Sequence, residues 1–217
     1  MKKGLTEVAF ILDRSGSMAG LESDTIGGYN SMLQKQKEVE GMCLVTTALF
    51  NNDYELLHDR IDIRGVDPIT EREYFAGGTT ALFDAVGRTI HKIVNVHKRT
   101  AEEYRAERVI FVIITDGLEN ASREYSGEKV RSMIEYQKSR YGWEFIFLGA
   151  NMDAAGEAEQ LGIGRDRAQS FHADAAGLEL NYRAMSDAVA NFRQKGFVDD
   201  DWGEEIRRNF TERGKGG

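Results

Sequence analysis

RVIFVIIT, Arg108 to Thr115, constrains the fold more than any other stretch of this chain. It is apolar at successive positions rather than alternate ones, and it is rich in β-branched side chains. A strand with one wet face alternates apolar and polar residues. A strand apolar at both parities needs cover on both faces, which points to a parallel sheet between helix layers. EVAFIL (Glu7–Leu12), MCLVTTALF (Met42–Phe50) and WEFIFLG (Trp143–Gly149) read the same way, and AQSFH (Ala168–His172) is a weaker strand. YELLHDRIDI (Tyr54–Ile63) alternates instead and follows the turn residues NND, so it pairs back on the preceding strand as an antiparallel hairpin.

Helical spacing fills the gaps. Ile26, Tyr29 and Leu33 share one face after Ser23 or Asp24, either of which can cap the helix. Leu82, Val86, Ile90 and Ile93 share another, in a helix starting at Thr79 or Thr80. Further helices are expected over Glu128–Arg140, within DAAGEAEQLG, and from about Ala175 to Lys195. Strands separated by helices predict an α/β fold: a Rossmann-like three-layer α/β/α sandwich with a mostly parallel central sheet of about six strands and one antiparallel edge strand. Residues 1–195 read as one domain and 196–217 as a C-terminal tail. In the tail, Trp202, Ile206 and Phe210 mark one face of a short amphipathic helix, expected to dock on its own domain.

The net charge of −8 argues against a nonspecific nucleic-acid binder, which needs a basic face for phosphate. Cys43 is the single cysteine and lies within an apolar strand, so it reads as a small buried residue rather than a reactive thiol. The start MKKGLTEVAFILDRSG is interrupted by Glu7, its apolar run VAFIL is too short for a signal peptide, and no stretch reaches the length of a membrane span. A cytoplasmic protein without membrane contact is expected.

In an open α/β sheet, ligands bind at the carboxyl ends of the strands where strand order reverses. Three loops of this sequence belong to that edge. One holds Asp13, Ser15 and Ser17 (DRSGSM), one Thr79 and Thr80 (GGTT), and one Asp116, with Glu119 and Asn120 behind it (TDGLEN). Carboxylates and hydroxyls without histidine or thiol favour a hard cation: magnesium, with manganese or calcium as alternatives. Magnesium prefers six oxygens and sheds water reluctantly. Neutral hydroxyls with distant carboxylates leave it under-neutralised, so a coordination place stays open to a partner's acidic group.

DRSGSM, GGTT and TDG, in that order and each after the expected element, resemble the metal-ion-dependent adhesion site of von Willebrand factor type A domains. The resemblance covers roughly residues 5–195. It implies that Ser15 and Ser17 coordinate the ion through their hydroxyls, with Thr79 as the third hydroxyl. Asp13 and Asp116 mostly hold coordinating waters and orient the serines. Thr80 is the less favoured threonine, because the family's ligand follows the glycine pair directly. The implied function is non-enzymatic: a protein-binding module, adhesive or scaffolding, in which Mg²⁺ captures an acidic side chain of a protein partner. Family analogy adds ATPases or stress-response assemblies as partners of intracellular bacterial members.

Other chemistries fit less well. A Mg²⁺-dependent phosphoryl hydrolase is the alternative, but it wants a second carboxylate two residues after Asp13, where Ser15 stands. No G-x-S-x-G accompanies the serines. Gly27 and Gly28 lack the lysine of a phosphate loop and read as close helix–sheet packing. GANMDAAGE lacks dinucleotide-binding glycine spacing; there Asp153 is expected to cap the next helix. His58, His91, His97 and His172 have no metal-ligand spacing, and His91 and His97 are expected to be solvated.

Overall fold

The computed structural model describes residues 1–214. Its elements in chain order are β1 (Lys2–Asp13), α1 (Glu22–Glu38), β2 (Met42–Phe50), β3 (Tyr54–Asp62), α2 (Leu82–Arg99), β4 (Ala106–Thr115), α3 (Gly127–Tyr141), β5 (Glu144–Ala150), α4 (Ala154–Gln160), β6 (Ala168–Phe171), α5 (Ala175–Lys195) and α6 (Glu204–Gly214). Six strands form one sheet in the order β3-β2-β1-β4-β5-β6. Every pairing is parallel except the β2–β3 hairpin, which makes β3 the antiparallel edge. The order reverses between β1 and β4, so the loops leaving these two strands open side by side.

Side-chain parity sorts the helices into two layers. Val8, Phe10 and Leu12 of β1 and Ile110, Val112 and Ile114 of β4 face α1 and α5. Ala9, Ile11, Phe111 and Ile113 face α2 and α3. β1 and β4 are apolar at both parities because both faces are covered.

Several expectations are corrected. β1 starts at Lys2 rather than Glu7: Lys2 pairs with Ala106, and a register shift before Thr6 resumes the ladder. Gly4 lies in this irregular stretch with φ +71°. Glu7, the polar residue ahead of VAFIL in sequence, is fully buried and held by Arg60 at 2.6 Å and by His97 Nε2 at 2.9 Å. His97 is therefore half-buried against Glu7 and not solvated, whereas His91 is exposed. Gly28 serves helix–helix rather than helix–sheet packing, because a Cβ there would collide with the Tyr182 ring of α5.

The tail helix forms and docks. Ile206 and Trp202 join the core, Trp202 Nε1 donates to Asp166 O (2.9 Å), and Phe210 stacks on His172 at 4.6 Å between ring centres. Cys43 is free and buried, and burial pushes its thiol up to about 11. Among the described residues, no helix is long and apolar enough to cross a membrane.

Candidate metal centre

β1 ends on Asp13, and its C-terminal register against β2 and β4 delivers the next residues to the open edge of the sheet. Asp13 is buried and turns back on its own loop. Its Oδ1 accepts the Ser15 amide (2.7 Å) and its Oδ2 the Thr115 hydroxyl (2.5 Å). Tyr74 fixes the same point from below, donating its hydroxyl to Asp13 O (2.5 Å). The Ser15 and Ser17 hydroxyls then lie 3.0 Å apart, and Ser17 Oγ donates to Asp116 Oδ1 at 2.6 Å. Asp13, Ser15 and Ser17, close in sequence, thus form one connected group of oxygens with Asp116, which is 99 residues beyond Ser17.

The glycine loop joins through its backbone. Gly16 N donates to Gly78 O (3.0 Å) and Gly77 N to Arg14 O (2.9 Å). Gly78 has φ +82°, a left-handed conformation open to glycine at little steric cost. Asn51, just past β2, braces the loop by donating to Gly77 O (2.8 Å).

The two threonines separate here. Thr80 is buried and Thr79 exposed. Asn120 clamps Thr80 twice: its Oδ1 accepts Thr80 N, and its own amide donates to Thr80 O, each at 3.0 Å. A Cβ on Gly117 would stand 2.6 Å from Thr80 Oγ1 and 3.3 Å from Ser17 Oγ, so these two hydroxyls crowd around one bare glycine. The expectation that Thr79 faces the serines is corrected: the side chain on that side is Thr80.

Two of the supports, Thr115 and Asp84, carry no mark in the sequence. Thr115 is indistinguishable from any strand residue until its bond to Asp13 is seen. Asp84, at the start of α2, accepts three successive amides, Arg123, Glu124 and Tyr125, at 2.8–2.9 Å. Glu119 caps α2 by accepting Phe83 N (2.9 Å). Together they tie the loop after Asp116 to the N-terminus of α2. Asp153 caps α4 and does not enter the group.

The electrostatics suit a bound cation. Burial raises the Asp13 carboxyl above its ordinary range. Burial also lifts Asp116 to about 6, with the charge of Asp13 adding to the effect. The nearest basic side chain in sequence, Arg14, turns away to Glu55 (2.8 Å) and the Phe75 ring. Two desolvated carboxylates and the hydroxyls of Ser15, Ser17 and Thr80 make an all-oxygen donor set short of positive charge, which fits a hard divalent ion. Among the described residues, no group of three or more His, Cys, Asp or Glu could hold a metal, so a metal here depends on these hydroxyls.

No family model and no curated protein matches this sequence. Solved structures do match in fold. The proximal thread matrix protein 1 of the mussel byssus, with a zinc-occupied metal-ion-dependent adhesion site, superimposes with TM-score 0.61 at 12% identity over 85% of this chain and 48% of that one. The ArnB paralog VWA2 from Sulfolobus acidocaldarius gives TM-score 0.52 at 16% identity, over 88% and 45%. The von Willebrand factor domain of the type V pili tip protein Mfa5 from Porphyromonas gingivalis gives 0.58 at 11%, over 90% of this chain and 98% of that one. The chain spans about half the length of the structures it matches first. The sheet order, the single antiparallel edge and these superpositions make the fold that of a von Willebrand factor type A domain.

Proposed function

We propose that this chain is a non-enzymatic, metal-dependent protein-binding module. Asp13, Ser15, Ser17, Thr80 and Asp116 hold the cation, Mg²⁺ before Mn²⁺ or Ca²⁺, and an Asp or Glu of a protein partner completes the site. One observation carries the reading: two desolvated carboxylates stand against hydroxyl ligands with, among the described residues, no basic side chain bonded to either. A divalent ion bound there supplies a Lewis-acidic place for one more oxygen. The protein's own residues do the positioning. Thr115 and the Ser15 amide orient Asp13, Asn120 holds Thr80, and Asp84 and Glu119 fix the loop that carries Asp116. Zinc in the metal-ion-dependent adhesion site of the byssus protein supports metal binding by this fold.

Ser15 stands where the phosphoryl-hydrolase reading wants a second carboxylate, so that alternative gains nothing. A cytoplasmic setting and an ATPase or stress-response partner belong to the same proposal and rest on family analogy.

Titration calorimetry tests the metal. Mg²⁺ should give a saturable heat with the wild type and an affinity about tenfold weaker or worse with Ser17→Ala, since an exposed hydroxyl can be removed without disturbing the core. Equal heats would sink the metal claim. Peptides selected on the protein in Mg²⁺ and eluted with EDTA should carry an essential Asp or Glu. Binders that survive its replacement by Asn or Gln would remove the carboxylate claim.

A further inference from the structure

A groove of about 600 Å³ lies between α2 and α3 at the N-terminal edge of the sheet, the end opposite Asp116. Ala106, the first residue of β4, and Trp143, just before β5, line its floor. Ile90 and Val94 of α2 and Met133 of α3 line its walls. The size is that of a site for a small organic molecule. Three features go beyond an apolar dent.

Tyr136 and Tyr141 stand at the rim more than half exposed, their rings edge to face at 6.0 Å. Large aromatics left open beside an apolar floor offer surface to a flat ligand. Gln137, only 5% exposed, also lines the groove, and its Oε1 is buried without a hydrogen-bond partner. A buried acceptor left unpaired is costly, and a donor on a ligand would satisfy it. Finally, Lys98, Arg105 and Lys129 line the same groove, and among the described residues none of them has a carboxylate within ion-pairing distance. The carboxylates of Glu102 and Glu107 also reach it, and the Gly4 amide that Glu107 accepts at 2.7 Å brings no positive charge. In a chain of net charge −8, three cations against two carboxylates leave this groove with an excess of one positive side chain.

We propose that this groove binds a small aromatic anion that also carries an N–H or O–H donor. The ring system stacks between Trp143 and the tyrosines, the donor meets Gln137 Oε1, and the anionic end faces Lys98 and Lys129. The proposal is independent of the metal centre.

The test uses the full chain carrying Trp202→Phe, which leaves Trp143 as the sole tryptophan. The probes are 8-anilinonaphthalene-1-sulfonate and N-phenyl-1-naphthylamine, which share the rings and the N–H but not the charge. One sulfonate per chain should bind and quench Trp143 by energy transfer. The double variant Lys98→Gln with Lys129→Gln should weaken the sulfonate about fivefold or more while leaving the neutral probe within about twofold. Met133→Phe, or Val94→Phe if the first variant does not fold, should block both probes. Unquenched Trp143, or sulfonate affinity untouched by the lysine and blocking variants, overturns the proposal. So does a dimer in sedimentation that the blocking variant dissociates, because the occupant is then a second copy of the chain.

Discussion

Thr79 and Thr80 are neighbours with opposite surroundings, and a single hydroxyl deletion separates their roles. Thr80 is buried beside Gly117 and Ser17, and Thr79 faces solvent. Thr80→Ala should weaken Mg²⁺ about tenfold or more in calorimetry, whereas Thr79→Ala should stay within about twofold. The reverse pattern would return the ligand to Thr79. Gly117→Ala makes the same point from the other side. Its Cβ would press on Thr80 Oγ1 at 2.6 Å, so metal affinity should fall while the circular dichroism of the metal-free protein stays unchanged. The sequence shows Asp13, Ser15 and Ser17 as a group because their spacing is local. It does not show which threonine joins them, because that is set by a clamp from Asn120, forty residues on in the chain. Thr115 is hidden for the same reason: its partner, Asp13, lies on the neighbouring strand.

At the level of elements, the apolar runs announced the sheet well, since strands buried on both faces have little freedom in composition. What they concealed was Glu7, which reads as the polar first residue of β1 and is a buried carboxylate at its centre. Two partners make that burial tolerable: the Arg60 guanidinium from β3 and the His97 ring from α2. Removing one partner of a buried pair leaves a charge poorly compensated, so Arg60→Ala should lower unfolding free energy by about 3 kcal/mol in urea titration. A loss below about 1 kcal/mol would mean that His97 and water suffice. The tail helix was legible from the spacing of Trp202, Ile206 and Phe210, but its seat was not. That seat is made by Asp166 and His172, near opposite ends of β6. Trp202 is buried, so Trp202→Ala should cost about 3–5 kcal/mol by the same measurement, as for other large-to-small core changes. A near-neutral result would show that α6 is a loose appendage.

For the whole molecule, β4 connects two dissimilar ends. Its C-terminal end leads into the acidic, hydroxyl-lined loops, and its N-terminal end forms the floor of the basic aromatic groove. A strand of ten residues spans about 33 Å, so direct electrostatic contact between the ends is screened by salt. Anything that binds the native state and not the unfolded chain raises stability by mass action, about 2.7 kcal/mol at a hundred times its dissociation constant. For a domain of this size that corresponds to a rise in melting temperature of about 5–10 °C. Mg²⁺ should therefore raise the wild-type melting temperature in a dose-dependent way that EDTA reverses, and Ser17→Ala should need about tenfold more Mg²⁺ for the same rise. The sulfonate probe should add its own increment on top, additive with that of Mg²⁺ to within about 0.5 kcal/mol, as for distant sites that share no partner. A larger departure would mean that β4 and the helices beside it transmit the state of one end to the other. The loop tied by Asp84 to α2, whose far half lines the groove, is the connection such a result would implicate.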